Sequence, residues 1–241
     1  MSGVIAVTRT EPGASVQARA LRAAGFESRV CPLLSVQCCE APRLSVGTPD
    51  IVFFMSVHAV RCGLGHVRNS LDAARCFAVG RATADALSAE GIESRVPETG
   101  ESTEDLLALP ELREVSDANI VIVRGEGGRE KLAEELEARA AQVECLDVYR
   151  RIRNRQGMMD LQGALRDALQ DLDTVVIGSG DGVRALADLV AMDRRGELNL
   201  IVPSKRVADV ALELGFATLS ISDGASDEAV ISCLKSRDQR G

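Results

Sequence analysis

The chain predicts an α/β protein made of two similar lobes, each an open parallel sheet covered by helices. Three observations lead there. Apolar, β-rich runs at 3–8, 28–36, 50–55, 75–79, 92–96, 119–123, 143–149, 173–177, 199–203 and 217–221 alternate with helical patterns, which is the signature of βαβ crossovers. Segments 79–106 and 202–230 are one phrase written twice: Ala84 and Ala208, Asp85 and Asp209, Gly91 and Gly215, Ser102 and Ser226, and Glu104 and Glu228 all align at an offset of 124. Aromatic residues make up only 2% of the chain, with no Trp and one Tyr. The core must therefore be aliphatic, as suits parallel strands buried on both faces.

Taken in order, the first run, Val4–Val7, leads to Arg9 and recurs at an offset of 115 as the run ending in Arg124. A helix pattern over 13–24 stops at Gly25, a residue suited to the left-handed position after a helix. The run 28–36 follows, then 50–55 with Ser56 before a helix over 57–65. That unit recurs at an offset of 123, pairing Asp50, Ser56 and Val60 with Asp173, Ser179 and Val183. The strand 75–79 feeds a helix over 81–90 with Thr83 in its first turn, closed by Gly91. After the run 92–96, Ser102 heads a helix over 102–108. Its Glu104 and Asp105 sit in the first turn, where the helix dipole favours acids.

The strand 119–123 then leads through a glycine-rich turn to a helix over 128–140. The strand 143–149 ends at Tyr149, before a basic stretch from Arg150 and a helix over 158–170. The strand 173–177 meets Ser179 and a helix over 181–192; 199–203 meets a helix over 204–214 closed by Gly215; 217–221 meets a last helix over 226–236, capped by Ser226. A period near 120 residues is too long for a solenoid.

At 241 residues the chain can bury one large core or two small ones. Its net charge of −8 argues against general nucleic-acid binding. An acidic ligand would need a local basic site. The longest uninterrupted apolar run, Ile51–Met55, is far short of the roughly 20 residues of a membrane span. The N-terminus enters a strand with no signal segment, so a cytoplasmic protein is expected. Seven cysteines include no CxxC, and two histidines do not complete a zinc spacing. Buried reduced thiols are the expected state, with adjacent Cys38 and Cys39 the one pair suggesting redox chemistry.

The most specific local motif is Val123-Arg-Gly-Glu-Gly-Gly-Arg-Glu130, between a strand and a helix. Glycines let backbone approach a ligand, and amides at a helix N-terminus face an anion. Arg124 and Arg129 add bidentate carboxylate donors. The bland alternative is a tight turn with solvated arginines. No Gly-Lys-Ser/Thr follows, so the motif is not a P-loop, and position 130 is not the third glycine of a dinucleotide fingerprint. Ser56 and Ser179 read first as helix caps. Both also lie at the carboxyl ends of parallel strands, where open α/β sheets bind ligands. Tyr149, a phenol, could donate a proton or a hydrogen bond.

Together these motifs resemble the uroporphyrinogen-III synthase family. The resemblance rests on Val7-Thr-Arg9, Pro32-Leu-Leu34, Ser56-Val-His-Ala-Val60, Val79-Gly-Arg-Ala-Thr-Ala84, Arg124-Gly-Glu-Gly-Gly-Arg-Glu130, Val148-Tyr-Arg150, Ser179 and Ala225-Ser-Asp-Glu228, in that order nearly end to end. It implies two flavodoxin-like, doubly wound domains joined by a two-stranded antiparallel linker. One domain would be 1–33 plus 153–241 and the other 38–145, with crossings at 30–38 and 145–153. The repeat alone would cut the chain once, near 117.

The resemblance also implies a reaction: closure of linear hydroxymethylbilane to uroporphyrinogen III in an interdomain cleft, with inversion of ring D and loss of water. It implies no metal or cofactor, no nucleic-acid or membrane partner, and a monomer. Tyr149 matches the family's functional tyrosine, and Ser56, Thr83 and Ser179 match positions contacting the acidic arms of the tetrapyrrole. Arg9, His58, Arg124, Gly127, Gly128, Arg129, Ser204, Lys205 and Arg206 complete the expected substrate contacts. His58 stands where many members have Asn or Arg, and Val207 where many have Thr. A different class of reading keeps the fold but makes the protein a non-catalytic binder of an acidic small molecule. A third has the Gly125–Gly128 turn hold a nucleotide.

Overall fold

The computed structural model describes residues 3–40, 44–98, 102–128, 130–167 and 172–238. In chain order the strands are β1 (Val4–Val7), β2 (Ser28–Val30), β3 (Leu34–Cys38), β4 (Ile51–Phe54), β5 (Arg75–Ala78), β6 (Asn119–Gly125), β7 (Gln142–Arg153), β8 (Leu172–Val176), β9 (Asn199–Val202) and β10 (Thr218–Ile221). The helices are α1 (Gly13–Ala23), α2 (Val57–Val67), α3 (Arg81–Ala89), α4 (Thr103–Leu107), α5 (Lys131–Ala138), α6 (Arg155–Asp167), α7 (Gly180–Ala187), α8 (Lys205–Glu213) and α9 (Asp227–Asp238).

The chain forms two compact units, Met1–Ser35 with Ile152–Gly241, and Val36–Arg151. The first unit holds a five-stranded sheet in the order β2-β1-β8-β9-β10, parallel throughout. Counted within the unit this is the doubly wound order 2-1-3-4-5. Successive residues of a strand face opposite sides, and the core divides accordingly. Ala6, Val175, Leu200 and Val202 fill one side; Ile5, Val7, Val176 and Ile201 fill the other.

The second unit repeats the plan with four parallel strands in the order β5-β4-β6-β7. Its fifth place is taken by β3, which runs antiparallel to β7. Cys39 N donates to Val148 O at 2.9 Å and Asn154 N to Leu33 O at 3.0 Å, so one residue number rises as the other falls. Val52 and Phe54 pack on one face of this sheet, and Ile51 and Phe53 on the other. Phe53 stacks on Phe77 at 5.2 Å.

Several elements differ from the sequence reading: β7 runs on to Arg153 instead of ending at Tyr149, and α7 stops at Ala187, short of the pattern over 181–192. The run 28–36 is two strands, because Pro32 has no N–H to continue a ladder; β2 pairs with β1 and β3 with β7. The run 92–96 makes only one bridge, Arg95 to Phe77. The helix over 102–108 is a single capped turn and a half, since Pro110 opens a 3-10 turn soon after. The helix over 128–140 begins only at Lys131.

The expected thiols are also corrected. Cys38 and Cys62 form a disulfide with Cα atoms 5.3 Å apart, fastening the end of β3 to α2. Spacing in sequence does not encode connectivity; it is the placement of β3 against β7 that brings Cys38 there. The other five cysteines are thiols, and burial, helped by Asp160, pushes the Cys31 thiol up to about 11. Among the described residues no helix is long and apolar enough to cross a membrane.

Candidate functional site

Open doubly wound sheets bind ligands beyond the carboxyl ends of their strands, where the strand order reverses. In the second unit that point lies between β4 and β6. There Ser56 follows β4, and the turn Gly125–Gly128 follows the body of β6. In the first unit it lies between β1 and β8, whose ends lead to Arg9 and to Ser179.

The two serines do the same local work. Ser56 is extended (φ −174°, ψ 164°), and its Oγ accepts from Ala59 N at 3.0 Å, capping α2. Ser179 (φ −160°, ψ 162°) caps α7 through Gly182 N at 3.2 Å. Ser56 also has a second partner, because its Oγ lies 3.1 Å from the Tyr149 hydroxyl.

Tyr149 is 3% exposed and sits where the β6–β7 pairing slips by one residue, between Arg124 and Gly125. Such a bulge re-aims a side chain. Its carbonyl accepts from Glu126 N at 2.8 Å. The ring lies so close over Gly125 that a Cβ there would stand 2.5 Å from its Cζ, so any other residue would have to displace the ring. The His58 ring meets it edge-on at 5.6 Å. Burial, then the charges of Arg61 and Arg151, lower the His58 pKa, so at neutral pH it is an uncharged imidazole. Arg151 lies 5.5 Å from the ring centroid, with Nη2 3.4 Å from the phenol oxygen.

Arg124 is spoken for by its own chain. It is 8% exposed; Nε donates to Asp147 at 2.9 Å, and Nη2 and Nη1 grip Glu130 at 2.8 and 3.1 Å. Burial alone would lower its pKa, but the hydrogen bonds to Glu130 and Asp147 prevail and raise it. The guanidinium pins the turn by pairing across it. Gly127, at φ +68°, supplies the left-handed residue of that turn, with Gly128 half-exposed beside it.

Thr83 lies in the first turn of α3 and is only 4% exposed. In the first unit Arg9 reaches Ala225 O at 3.4 Å and Asp227 at 3.7 Å. Ser204 has the extended cap conformation of Ser56 but its side chain makes no cap bond, and Lys205 and Arg206 follow it, exposed. Val207 is 1% exposed and belongs to the core, which accounts for an apolar residue in this turn.

Of the expected site residues, then, the structure brings Ser56, His58 and Tyr149 into one cluster beside the glycine turn. It gives Arg124 a holding role, keeps Arg9, Ser179, Ser204, Lys205 and Arg206 in the other unit, and leaves Arg129 outside the described residues. Arg151 is the member that sequence reasoning missed within its basic stretch. The available signal was its spacing, two residues beyond Tyr149 on a strand and so on the same face.

A model of the family described as uroporphyrinogen-III synthase HemD matches residues 15–232. The chain is 33% identical over 246 aligned positions to the uroporphyrinogen-III synthase of Salmonella typhimurium, across 96% of this chain and 99% of that protein. It is 30% identical, over the same shares, to that of Escherichia coli. Among solved structures, uroporphyrinogen-III synthetase from Helicobacter pylori superposes with a TM-score of 0.64 at 15% identity, over the whole of both chains. A mutant uroporphyrinogen III synthase from Thermus thermophilus gives 0.59 at 14%, also over both whole chains. At such identities these two speak for the fold alone; the match over residues 15–232 and the enterobacterial relatives go further, and the chain belongs to the uroporphyrinogen-III synthase family.

Proposed function

We infer that the protein is a uroporphyrinogen-III synthase, a lyase that closes hydroxymethylbilane to uroporphyrinogen III with loss of water. The observation that carries this is the family match along nearly the whole chain. The buried phenol of Tyr149, oriented at the ligand-binding end of its sheet, supports a definite role within it.

The chemistry asks little beyond position and one proton. Loss of the terminal hydroxyl from the bilane leaves an electrophilic azafulvene, and pyrrole carbons are already nucleophiles. The enzyme's task is to hold ring D so that its substituted α-carbon attacks, through a spiro intermediate, instead of the free carbon that gives isomer I unaided. Tyr149 assists departure of the hydroxyl as general acid. Ser56 holds the phenol, and the neutral His58 packs against its edge as an uncharged neighbour. The Gly127 amide and those at the α7 and α8 starts suit carboxylate arms of the substrate, while the Gly128 amide closes the turn on Gly125 O at 3.1 Å. Arg9, Lys205 and Arg206 supply the cations, while Arg124 contributes by fixing the turn. A cytoplasmic monomer belongs to the same reading.

Replacing Tyr149 with Phe removes the proton and keeps the ring. Turnover of freshly generated hydroxymethylbilane is expected to fall by at least about tenfold with the fold intact, within the usual range for loss of a general acid. Wild-type turnover in that variant would take Tyr149 out of the reaction.

A further inference from the structure

We propose that Arg151 is a positioning residue that holds the Tyr149 phenol as a proton donor. The inference rests on the acid role of Tyr149 given above. The two side chains stand on one face of β7, two residues apart. Tyr149 is buried and Arg151 exposed, so the guanidinium closes over the ring from the solvent side, 5.5 Å from its centroid. Its neighbours in the basic stretch are held otherwise: Arg150 Nε donates to Gln37 at 3.0 Å and Arg153 Nε to Asp188 at 2.9 Å.

The direction of the contact matters. A guanidinium has only donors, so the 3.4 Å approach of Nη2 to the phenol makes that oxygen the acceptor. Ser56 Oγ accepts from Ala59 N and lies 3.1 Å from the phenol oxygen, a contact in which either hydroxyl can donate. With Arg151 donating to the oxygen, and Ser56 able to donate as well, the phenol's proton can turn to a third partner, the departing hydroxyl. When that proton moves, the bilane C–O bond breaks, water leaves, and the O–H electron pair stays on Tyr149. The charge that develops there faces the fixed cation of Arg151, the arrangement that stabilises a transition state. The final deprotonation of a pyrrole carbon returns the proton to Tyr149.

The test is a double-mutant cycle. Arg151→Met is expected to lower kcat about threefold to tenfold, in keeping with an exposed cation beside a ring, and to leave KM for hydroxymethylbilane unchanged. Arg151→Lys, which keeps the charge, should restore most of that loss. In a Tyr149→Phe background, Arg151→Met should change nothing further. With a single Tyr and no Trp, the phenol band of the near-ultraviolet circular dichroism belongs to Tyr149, over a Phe and disulfide background that the variant leaves in place, and that band should weaken in Arg151→Met without substrate. Equal losses in both backgrounds, or a raised KM at constant kcat, would overturn the positioning role while leaving the acid role standing. A Tyr149→Phe enzyme as fast as wild type would remove both.

Discussion

Tyr149 depends on residues that have no chemistry of their own. Gly125 is the strongest case: Gly125→Ala places a methyl within 2.5 Å of the ring, so turnover should collapse well before the thermal midpoint does, and both can be measured on one preparation. The paired serines separate capping from function. Ser56→Ala and Ser179→Ala should each lower stability by about 1 kcal/mol, as loss of an N-cap does, but only Ser56→Ala also frees the phenol. His58 sets a pH dependence. Its pKa is lowered by burial and by Arg61 and Arg151, so below the ordinary value of about 6.5 the unfolded chain takes up a proton that the folded one resists. Stability should therefore decline as pH falls through that value and level off below the folded pKa. His58→Gln should flatten the decline in a series of melting curves. The serine caps were legible because they sit at strand ends in a repeated phrase, whereas Tyr149 lies outside the repeats and was singled out as the one tyrosine, at the end of its strand, and by the family resemblance. The role of Arg124 was not legible, since Asp147 meets it only through the register of β6 on β7.

Elements show why local pattern reads well and pairing reads poorly. The repeat at an offset of 124 is real in three dimensions: Gly80 and Ser204 begin α3 and α8 with nearly the same extended backbone, and Ser102 and Ser226 both cap the helix that follows. What the pattern could not show was a choice of partner. Residues 92–96 look like a strand yet make a single bridge, and β3 leaves the first sheet for an antiparallel seat on β7. That seat brings Cys38 to Cys62. The bond closes a loop across a separation of 24 residues, for which loop-closure entropy gives about 3.5 kcal/mol. Reduction, or Cys38→Ser, should lower the urea midpoint of the second unit accordingly. Identical midpoints with and without a dithiol reductant would mean the bond adds nothing.

At the scale of the molecule, alternating strands and helices with an aliphatic core were enough to specify two open, mostly parallel sheets, and the family resemblance added that they are doubly wound. The reason is physical: βαβ crossovers leave few alternatives once both faces of a sheet are buried. The division of the chain is subtler. The repeat suggests one cut, whereas the compact units part after Ser35 and again after Arg151, because β3 and β7 carry the chain across in both directions. The most direct test of the synthase activity is to supply freshly generated hydroxymethylbilane to the purified protein and resolve the oxidised uroporphyrin isomers. A synthase must give predominantly isomer III. Isomer I formed at the spontaneous rate by well-folded protein would contradict that activity.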